Sequence, residues 1–313
     1  MVNSLRFLCL IFPFLLLIHC RNNKVEQEIQ FSIQNTEAIG RISLYSKVYG
    51  HQEIIRRNNR WWINDSTKAR ADAVENILKI LPTIKVKYYP PKSAWEYMIH
   101  TVQQEGVKVS FMDVDHHQIK SMYIGGTTND ERGTYAMIDG STQPYVIQSA
   151  GFDGNLGTRF KISNEEWRDR MIIDELYTDI EYVQLDYDQK PALGFRIEQS
   201  SENNYKVYDE SKHDIKSSLP LVKTYLQSLN KIGCEGIEND FVNKGLVLAS
   251  TPYATLTLKI KNKSSRTIKI YTMESVGEES LERMFVYDGH DFYLAQLRIL
   301  QKLFRPIDYF KVK

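Results

Sequence analysis

The chain has 313 residues, with 40 Lys and Arg against 39 Asp and Glu and 42% hydrophobic residues. This composition is typical of a globular protein and excludes a disordered chain, a collagen-like repeat and a polytopic membrane protein. The net charge of +1 leaves no bulk field to attract nucleic acid, so we predict no nucleic-acid partner. At about 150 residues per domain, the length predicts roughly two domains.

The N-terminus has the pattern of an export signal. Met1–Arg6 carries one positive charge. Phe7–Ile18 is a run of twelve hydrophobic residues that is interrupted only by Pro13. A membrane-spanning helix needs about 20 apolar residues, so this run is too short to span comfortably, and polar residues follow it at 21–24. Residues 1–19 are therefore predicted to be a signal peptide.

The residues at the end of this run predict lipidation. Leu17-Ile18-His19-Cys20 resembles the lipobox of bacterial lipoproteins, in which the cysteine is acylated. His19 departs from the usual Gly, Ala or Ser, and the alternatives are an uncleaved signal anchor or an accidental cysteine. Each buried methylene contributes about 0.8 kcal/mol, so several acyl chains would hold the protein on a membrane. We predict that residues 20–34 form the lipidated Cys20 and a polar tether.

The cysteine content predicts a fold without an internal disulfide. Cys9 lies in the predicted signal, Cys20 is the predicted lipidation site, and Cys234 is then the one thiol left in the folded part. Because no histidine lies near Cys234 in the sequence to act as a base, we interpret it as a half-buried bystander rather than a nucleophile.

Two halves of the chain carry the same patterns, 141 to 149 residues apart. The matched pairs are the strands Ala38–Leu44 and Asp179–Leu185, the helical stripes Val74, Ile77, Leu78, Leu81 and Val222, Tyr225, Leu226, Leu229, the strands Val107, Val109, Phe111 and Leu256, Leu258, Ile260, the residues Ile119 and Ile268, and the turns Ile138-Asp139-Gly140 and Tyr287-Asp288-Gly289. Such nearly constant offsets predict an internal repeat. The predicted modules are 35–174 and 175–313, joined near Asp174–Tyr177.

The predicted fold class is α+β, as two tandem repeats of a mostly antiparallel sheet with packed helices. One amphipathic helix per module must bury its stripe, which predicts two layers. A hairpin is expected across Asn58-Asn59 in the first module and across Ser200–Asn204 in the second. An extra helix, Ser93–Glu105, is expected in the first module only. A terminal helix, Phe292–Phe304, is expected to pack back on its own sheet rather than on a membrane or a partner.

Asp113, Asp115, His116 and His117 form the most metal-like cluster, because carboxylates and imidazoles are common metal ligands. The matching position of the second module, Asn262–Ser265, has no such ligands. We therefore favour an exposed turn over a metal site, and we predict neither a metal nor a cofactor.

Trp61 and Trp62 are candidate binding residues, since adjacent aromatic side chains could form a platform for a glycan. Consecutive strand residues point to opposite faces, so only one of the two rings can be exposed, and packing is the alternative interpretation. The second module has Lys206-Val207 at about this place.

Two glycine-rich segments, 125–133 and 151–157, are interpreted as loops rather than phosphate-binding loops, because no helix follows the first directly. The sequence contains no G-x-S-x-G, H-E-x-x-H, paired C-x-x-C or Walker motif. We therefore predict no catalytic residue and no enzymatic activity.

Four stretches resemble an uncharacterised protein family. They are Asn59–Ile63, Lys68–Asp72, Gly125-Gly126-Thr127 with Gly133-Thr134-Tyr135, and Glu166–Arg170. Together, over about residues 31–173, they resemble the family called domain of unknown function 4340. The resemblance implies a bacterial envelope lipoprotein, often from Bacteroidota, with some relatives encoded beside ABC-type transport and gliding components. It supplies no catalytic residue.

We expect an envelope lipoprotein that acts as a non-enzymatic accessory or scaffold, with an ABC-type transport or gliding-related membrane complex as the partner class that the resemblance implies. Arg21–Lys24 follows Cys20 in place of the acidic residues that surface-exported lipoproteins of that phylum tend to have, which favours an anchor facing the periplasm. The alternatives are a glycan- or peptidoglycan-binding lipoprotein and an unrecognised metal-dependent hydrolase.

Overall fold

The computed structural model describes residues 30–152, 154–277 and 282–312. The predicted signal peptide, Cys20 and most of the predicted tether lie outside the described residues. The described chain forms two nine-stranded sheets and one two-stranded sheet, and each strand pairing is antiparallel. The predicted class, mostly antiparallel α+β, is confirmed. No helix in this part of the chain is long and apolar enough to cross a membrane.

The first nine-stranded sheet is built by residues 41–149. Its strands are β1 (Arg41–Ser46), β2 (Gly50–Arg57), β3 (Arg60–Ile63), β4 (Thr67–Lys68), β5 (Ile84–Tyr88), β6 (Val107–Met112), β7 (Gln118–Thr127), β8 (Thr134–Ile138) and β9 (Tyr145–Ser149), with helices α1 (Ala71–Ile80) and α2 (Trp95–Glu105). The strand order is β4-β3-β2-β1-β6-β7-β8-β9-β5.

Helices cover both faces of this sheet. On one face, α1 places Val74 and Ile77 in a core that also includes Ala136 of β8. On the other face, α2 packs Met98 and Val102 against β8 and β9. Because neighbouring strand residues point to opposite faces, these are separate layers. The predicted two-layer arrangement is therefore incomplete, since α2 adds a third layer.

A short connection and the second nine-stranded sheet follow. They comprise α3 (Asn164–Trp167), β10 (Met171–Ile173), β11 (Ile180–Asp186), β12 (Phe195–Ser201), β13 (Asn204–Asp209), β14 (Asp214–Ile215), α4 (Leu219–Ser228), β15 (Ile232–Gly233), β16 (Gly236–Ile237), α5 (Lys244–Ala249), β17 (Ala254–Ile260), β18 (Arg266–Thr272), β19 (Arg283–Tyr287), β20 (Phe292–Gln296) and α6 (Leu297–Leu300). The strand order is β14-β13-β12-β11-β17-β18-β19-β20-β16, which is the order of the first sheet strand for strand.

The second sheet also carries a helix on each face. The predicted apolar stripe of α4 is buried in the second core, and its last residue, Leu229, lies just beyond the helix end. On the other face, α5 buries Val247 against Tyr271, Phe285 and Phe292. A helix was predicted at this place in the first module only, and that prediction is wrong. The run 244–249 is only six residues long, too short to show a helical period in the sequence.

The predicted hairpin between β2 and β3 is confirmed. Asn58 and Asn59 both have positive φ, 48° and 60°, as a two-residue turn of the mirror-image type requires, and asparagine tolerates this conformation better than most residues. In the second sheet β12 ends at Ser201 and β13 begins at Asn204, so that hairpin turn is shorter than the predicted segment Ser200–Asn204.

The predicted terminal helix, Phe292–Phe304, is wrong in its first half. Phe292–Gln296 is strand β20, which pairs with β19, and only Leu297–Leu300 is helical. Packing back on the same sheet is nevertheless observed, because Leu300, Leu303 and Phe310 are buried in the second core.

The first core begins inside the predicted tether. Phe31 is 1% exposed and Ile33 is 5% exposed, and the Ile33 amide donates to the Leu81 carbonyl over 3.1 Å. The last residues of the segment 20–34 therefore belong to the packed fold.

Candidate functional site

The two predicted binding tryptophans lie on β3 and point to opposite faces of the sheet. Trp61 packs against the first core, and the Arg56 guanidinium lies 5.8 Å from its ring centroid. Trp62 pairs with Ile55 on β2 and with Lys68 on β4. Both tryptophans are half-buried. The structure therefore does not bring the two rings together on one surface.

The strand pairings also correct the predicted match of these residues in the second sheet. Ile63 pairs with buried Ile54 on β2, and Val207 pairs with buried Ile197 on β12. With Ile63 and Val207 at equivalent positions, the pair Trp61-Trp62 corresponds to Tyr205-Lys206, one residue before the predicted pair Lys206-Val207.

The predicted metal-like cluster lies in the exposed turn between β6 and β7. Ligand atoms of Asp113, Asp115 and His117 lie within 4.8 Å of one another, whereas His116, with φ of 67°, is not part of the group. Asp113 Oδ1 accepts hydrogen bonds from the backbone amides of Asp115 and His117, each 2.9 Å long, and Asp113 Oδ2 lies 3.2 Å from His117 Nδ1. The bond from the His117 amide is the main reason that the pKa of Asp113 is lowered.

The same geometry recurs in the turn between β13 and β14. Asp209 Oδ1 accepts from the His213 amide over 2.8 Å, and Asp209 Oδ2 lies 3.2 Å from His213 Nδ1. An aspartate that accepts backbone N–H groups a few residues later is a common way to close a turn. The contact between Asp113 and His117 is therefore explained by turn formation without a metal ion.

A matched pair of variants tests this interpretation. Asp113→Ala and Asp209→Ala should lower the melting temperature slightly and to a similar extent, because each removes backbone hydrogen bonds of an exposed turn. Addition of Zn²⁺ should shift neither the wild type nor either variant, as measured by thermal unfolding. A Zn²⁺-dependent rise that is present in the wild type and absent from Asp113→Ala alone would contradict the turn interpretation.

A serine, a histidine and a glutamate meet on the outer face of β1 and β2. Ser43 Oγ lies 3.0 Å from His51 Nε2, and Glu53 Oε1 lies 3.9 Å from the same nitrogen. In a catalytic triad the histidine contacts the nucleophile through one nitrogen and the acid through the other. These three residues therefore do not have triad geometry.

A lysine and two serines surround Asp139 on the same face of the first sheet. Lys108 Nζ lies 2.8 Å from Asp139 Oδ2, which also accepts from Ser121 Oγ over 3.0 Å, and Ser110 Oγ lies 2.9 Å from Ser121 Oγ. The hydrogen bond with Asp139 raises the pKa of Lys108. A general base needs a lowered lysine pKa, so this pair is suited to holding the turn at Asp139 rather than to proton abstraction.

The most extensively connected polar site lies where the chain passes from the first core to the second. Trp167 is fully buried in the first core, and Ile172 and Ile173 are buried in the second. Only residues 168–171 separate them. The chain therefore crosses upstream of the predicted joint at Asp174–Tyr177.

Backbone hydrogen bonds attach this segment to residues before it and to residues after it in the chain. The Trp167 carbonyl accepts from the Arg70 amide over 2.7 Å, and the Arg170 carbonyl accepts from the Cys234 amide over 2.8 Å. Strand β10 pairs with β15, which lies just after α4. Burial raises the pKa of the Cys234 thiol to about 11, so it stays protonated at neutral pH. We call residues 167–173 the shared segment.

A buried ion pair joins the shared segment to the second sheet. Both terminal nitrogens of Arg168 donate to the carboxylate of Asp291, whose side chain is 8% exposed. Asn239 Nδ2 donates to the same carboxylate over 2.8 Å, and Asn239 Oδ1 accepts from the Phe292 amide over 2.9 Å. Burial alone would raise the pKa of Asp291, but the bonds from Arg168 and Asn239 more than offset it and lower the pKa to about 2.

A second buried carboxylate lies three residues away. Asp288 accepts from Arg266 on β18 and from the Tyr293 hydroxyl over 3.1 Å, and its pKa is lowered although burial opposes this. Arg266 also donates to the Ile172 carbonyl over 2.8 Å. Arg168 and Arg266 thus connect the shared segment to two carboxylates of the turn between β19 and β20.

The Asp291 carboxylate predicts acid sensitivity with a defined sign. Because its pKa falls from 3.8 to about 2 on folding, its contribution is complete above about pH 5 and is lost as the pH falls through 2. The shift corresponds to about 2 kcal/mol. Urea unfolding between pH 2 and pH 6 should therefore give a shallower pH dependence for Asp291→Asn than for the wild type. Equal slopes in the wild type and in Asp291→Asn would contradict the role of Asp291.

No pattern in the sequence points directly to this site. Arg168 and Asp291 are 123 residues apart, and neither lies in a motif of known spacing. The weak signals were indirect, since Glu166–Arg170 carries part of the family resemblance and Asp288 lies in a turn that has a match in the first module.

Two antiparallel sheets of identical strand order, joined by a shared segment, define a two-sheet α+β protein. The chain belongs to the family described as Domain of unknown function (DUF4340), whose match covers residues 61–264. The predicted family is thus confirmed. The match begins and ends later than the predicted 31–173 and includes the shared segment and part of the second sheet. No curated protein and no solved structure matches the chain.

Proposed function

We propose that the chain is a non-enzymatic envelope lipoprotein that acts as a scaffold or accessory for a membrane complex. In this proposal Cys20 is acylated and holds the protein on a bacterial membrane, facing the periplasm. The two sheets are an internal repeat and present two related surfaces at a fixed spacing. An ABC-type transport or gliding-related complex is the partner class that the family resemblance implies.

The observation that carries the proposal is the shared segment. Trp167 is buried in the first core and Ile172 in the second, and the four residues between them leave no room for a flexible linker. Arg168 and Arg266 attach this segment to the second sheet. A scaffold needs such a fixed arrangement, because flexible domains dilute the effective concentration of the partners they hold.

The identical strand order supports the repeat. Nine strands can be arranged in many orders, and the two sheets follow the same one, with a helix on each face in both. Duplication of one ancestral module accounts for this agreement more simply than two independent origins do.

The alternative functions have less support. A glycan platform at Trp61 and Trp62 is weakened because the rings are half-buried on opposite faces. A hydrolase that uses Asp113 and His117 is weakened because Asp209 and His213 repeat the contact in a second turn.

In-cell cross-linking of the native protein, followed by mass spectrometry, tests the proposal. Membrane subunits should be enriched with the wild type and lost with Cys20→Ala, which should also move to the soluble fraction. A matched Cys9→Ala variant should behave as the wild type, since Cys9 lies in the predicted signal. If the wild type enriches no envelope protein above Cys20→Ala, or if it is soluble, the proposal fails.

A further inference from the structure

The described chain enters the fold beside the hairpin of β6 and β7. Lys120, near the start of β7, donates from Nζ to the carbonyl oxygens of Gln30 and Ser32, the second over 2.8 Å. Phe31 and Ile33 are buried in the first core. These contacts fix the point at which residues 20–29 join the fold, and that point lies on this hairpin.

The turn of the same hairpin presents an apolar side chain to solvent. Val114 is 70% exposed, more than any other large hydrophobic side chain of the first sheet and its turns, and Ile119, beside Lys120, is 36% exposed. Single exposed apolar residues are common and indicate no partner by themselves. What distinguishes this pair is its place next to the point of chain entry. We call residues 113–119 the hairpin tip.

The backbone of the hairpin tip is held on two sides. Asp113 Oδ1 accepts hydrogen bonds from the amides of Asp115 and His117, each 2.9 Å long. Gly40, just before β1, packs so closely against the turn that a Cβ at this position would lie 2.8 Å from the Cα of Val114. The position of Val114 relative to the first core is therefore fixed.

The length of the chain before the fold limits how the anchored protein can be oriented. Ten residue steps separate Cys20 from Gln30, and a fully extended chain of this length spans at most about 35 Å. Strand β7 has ten residues and is about 30 Å long. If the opposite end of the sheet faced the bilayer, the chain would need almost its whole reach to run back along the strands. With the hairpin tip towards the bilayer, it needs little of that reach.

We propose that the hairpin tip lies in the interface of the lipid bilayer that holds the protein, with Val114 and Ile119 entering it. This inference rests on the proposed function, because it requires the acylated Cys20. Apolar side chains enter the boundary between headgroups and acyl chains, while polar neighbours such as Asp115 and His116 stay among the hydrated headgroups. Two apolar side chains bind a bilayer weakly, so this contact orients a protein that its acyl chains already hold.

The opposite end of the first sheet then points away from the bilayer. Arg41 pairs with Met112 next to the hairpin tip, and Ser46 pairs with Val107 five residues further along β1. The turn between β1 and β2 follows Ser46 and carries Val48, which is 63% exposed. Val48 is thus the same residue type in the same kind of turn, at the end of the sheet that this orientation keeps in water.

Quenching of a fluorescent label by lipids tests the inference. The native lipidated protein, with Cys234→Ser, carries either Val114→Cys or Val48→Cys labelled with the fluorophore NBD. It is reconstituted alone into phosphatidylcholine vesicles, with or without lipid that bears a nitroxide close to the headgroup. We expect the nitroxide to lower the emission from position 114 at least about twofold and to leave the emission from position 48 within about 10%.

Flotation of the same vesicles separates this inference from the proposed anchor. If the protein floats and the nitroxide quenches both positions equally, or position 48 alone, the orientation is overturned and the anchor stands. If the emission from position 114 shifts on reconstitution without quenching, something other than lipid covers the hairpin tip, and the inference is again overturned. If the wild type does not float, Cys20 does not hold it on the bilayer, and both proposals fail.

Discussion

Arg168→Met should lower the free energy of unfolding by about 3 kcal/mol, because it leaves the buried carboxylate of Asp291 without its charged partner. The value is at the lower end of the range for broken buried pairs, since the Arg168 side chain keeps 20% of its surface exposed. Urea unfolding followed by circular dichroism measures the change. The double variant Arg168→Met, Asp291→Leu should recover part of the loss, because no buried charge then remains unpaired.

Lys79→Met is the control for the same chemical change at the surface. Lys79 pairs with Glu75 four residues earlier on α1, and both side chains are mostly exposed. Exposed pairs contribute about 0.5 kcal/mol or less. If Arg168→Met costs no more than Lys79→Met, the ion pair does not hold the two sheets together.

Phe310→Ala should destabilise the protein by about 3–5 kcal/mol, as expected when a fully buried aromatic side chain is removed. The Phe310 ring lies 4.7 Å from the ring of Phe195 and 5.4 Å from that of Tyr225, centroid to centroid. Its loss would leave a cavity between α4 and the sheet. Thermal and urea unfolding report the effect.

Val312→Ala, two residues further on, is the matched control because Val312 is 48% exposed. It should change the free energy of unfolding by less than about 0.5 kcal/mol. Equal small effects at both positions would mean that the C-terminal segment is not part of the second core.

Hydrophobic alternation predicted most of the sheet but not its exact register. Val109 pairs with Leu44 in the first sheet, and Leu256 pairs with Leu185 in the second. Because Leu44 and Leu185 are matched residues of the two halves, Val109 and Leu256 are equivalent too. The offset between them is 147 residues rather than the predicted 149. A shift of two residues keeps every side chain on the same face, so the pattern alone cannot detect it. Met122, and not Ile119, takes the position of Ile268 in the ladder, a difference of three residues, and the pairing of β6 with β7 shifts register between Phe111 and Met112.

The predicted terminal helix failed because two patterns overlap in one segment. Phe292–Phe304 has apolar residues at helical spacing, yet Phe292–Gln296 also fits a strand and has β19 beside it as a hairpin partner. Five paired residues that bury Phe292 and Tyr293 outweigh local helix propensity. Which of the two structures forms depends on pairing with β19, and this cannot be predicted from the segment alone.

The polar junction could not be predicted for a different reason. Arg168, Asp291 and Asn239 meet only after both sheets have formed, and single charged residues in a sequence normally indicate solvent exposure.

Three of the four outermost strands of the large sheets, β4, β14 and β16, are only two residues long. The fourth, β5, is irregular in its pairing with β9 and carries Lys85 and Lys87. Long, flat outer strands are templates on which another chain can add a strand, and short strands, lysines and irregular pairing prevent this. The outer strands of the described sheets are therefore poor templates for edge-to-edge pairing, although eighteen of the described strands lie in two large open sheets.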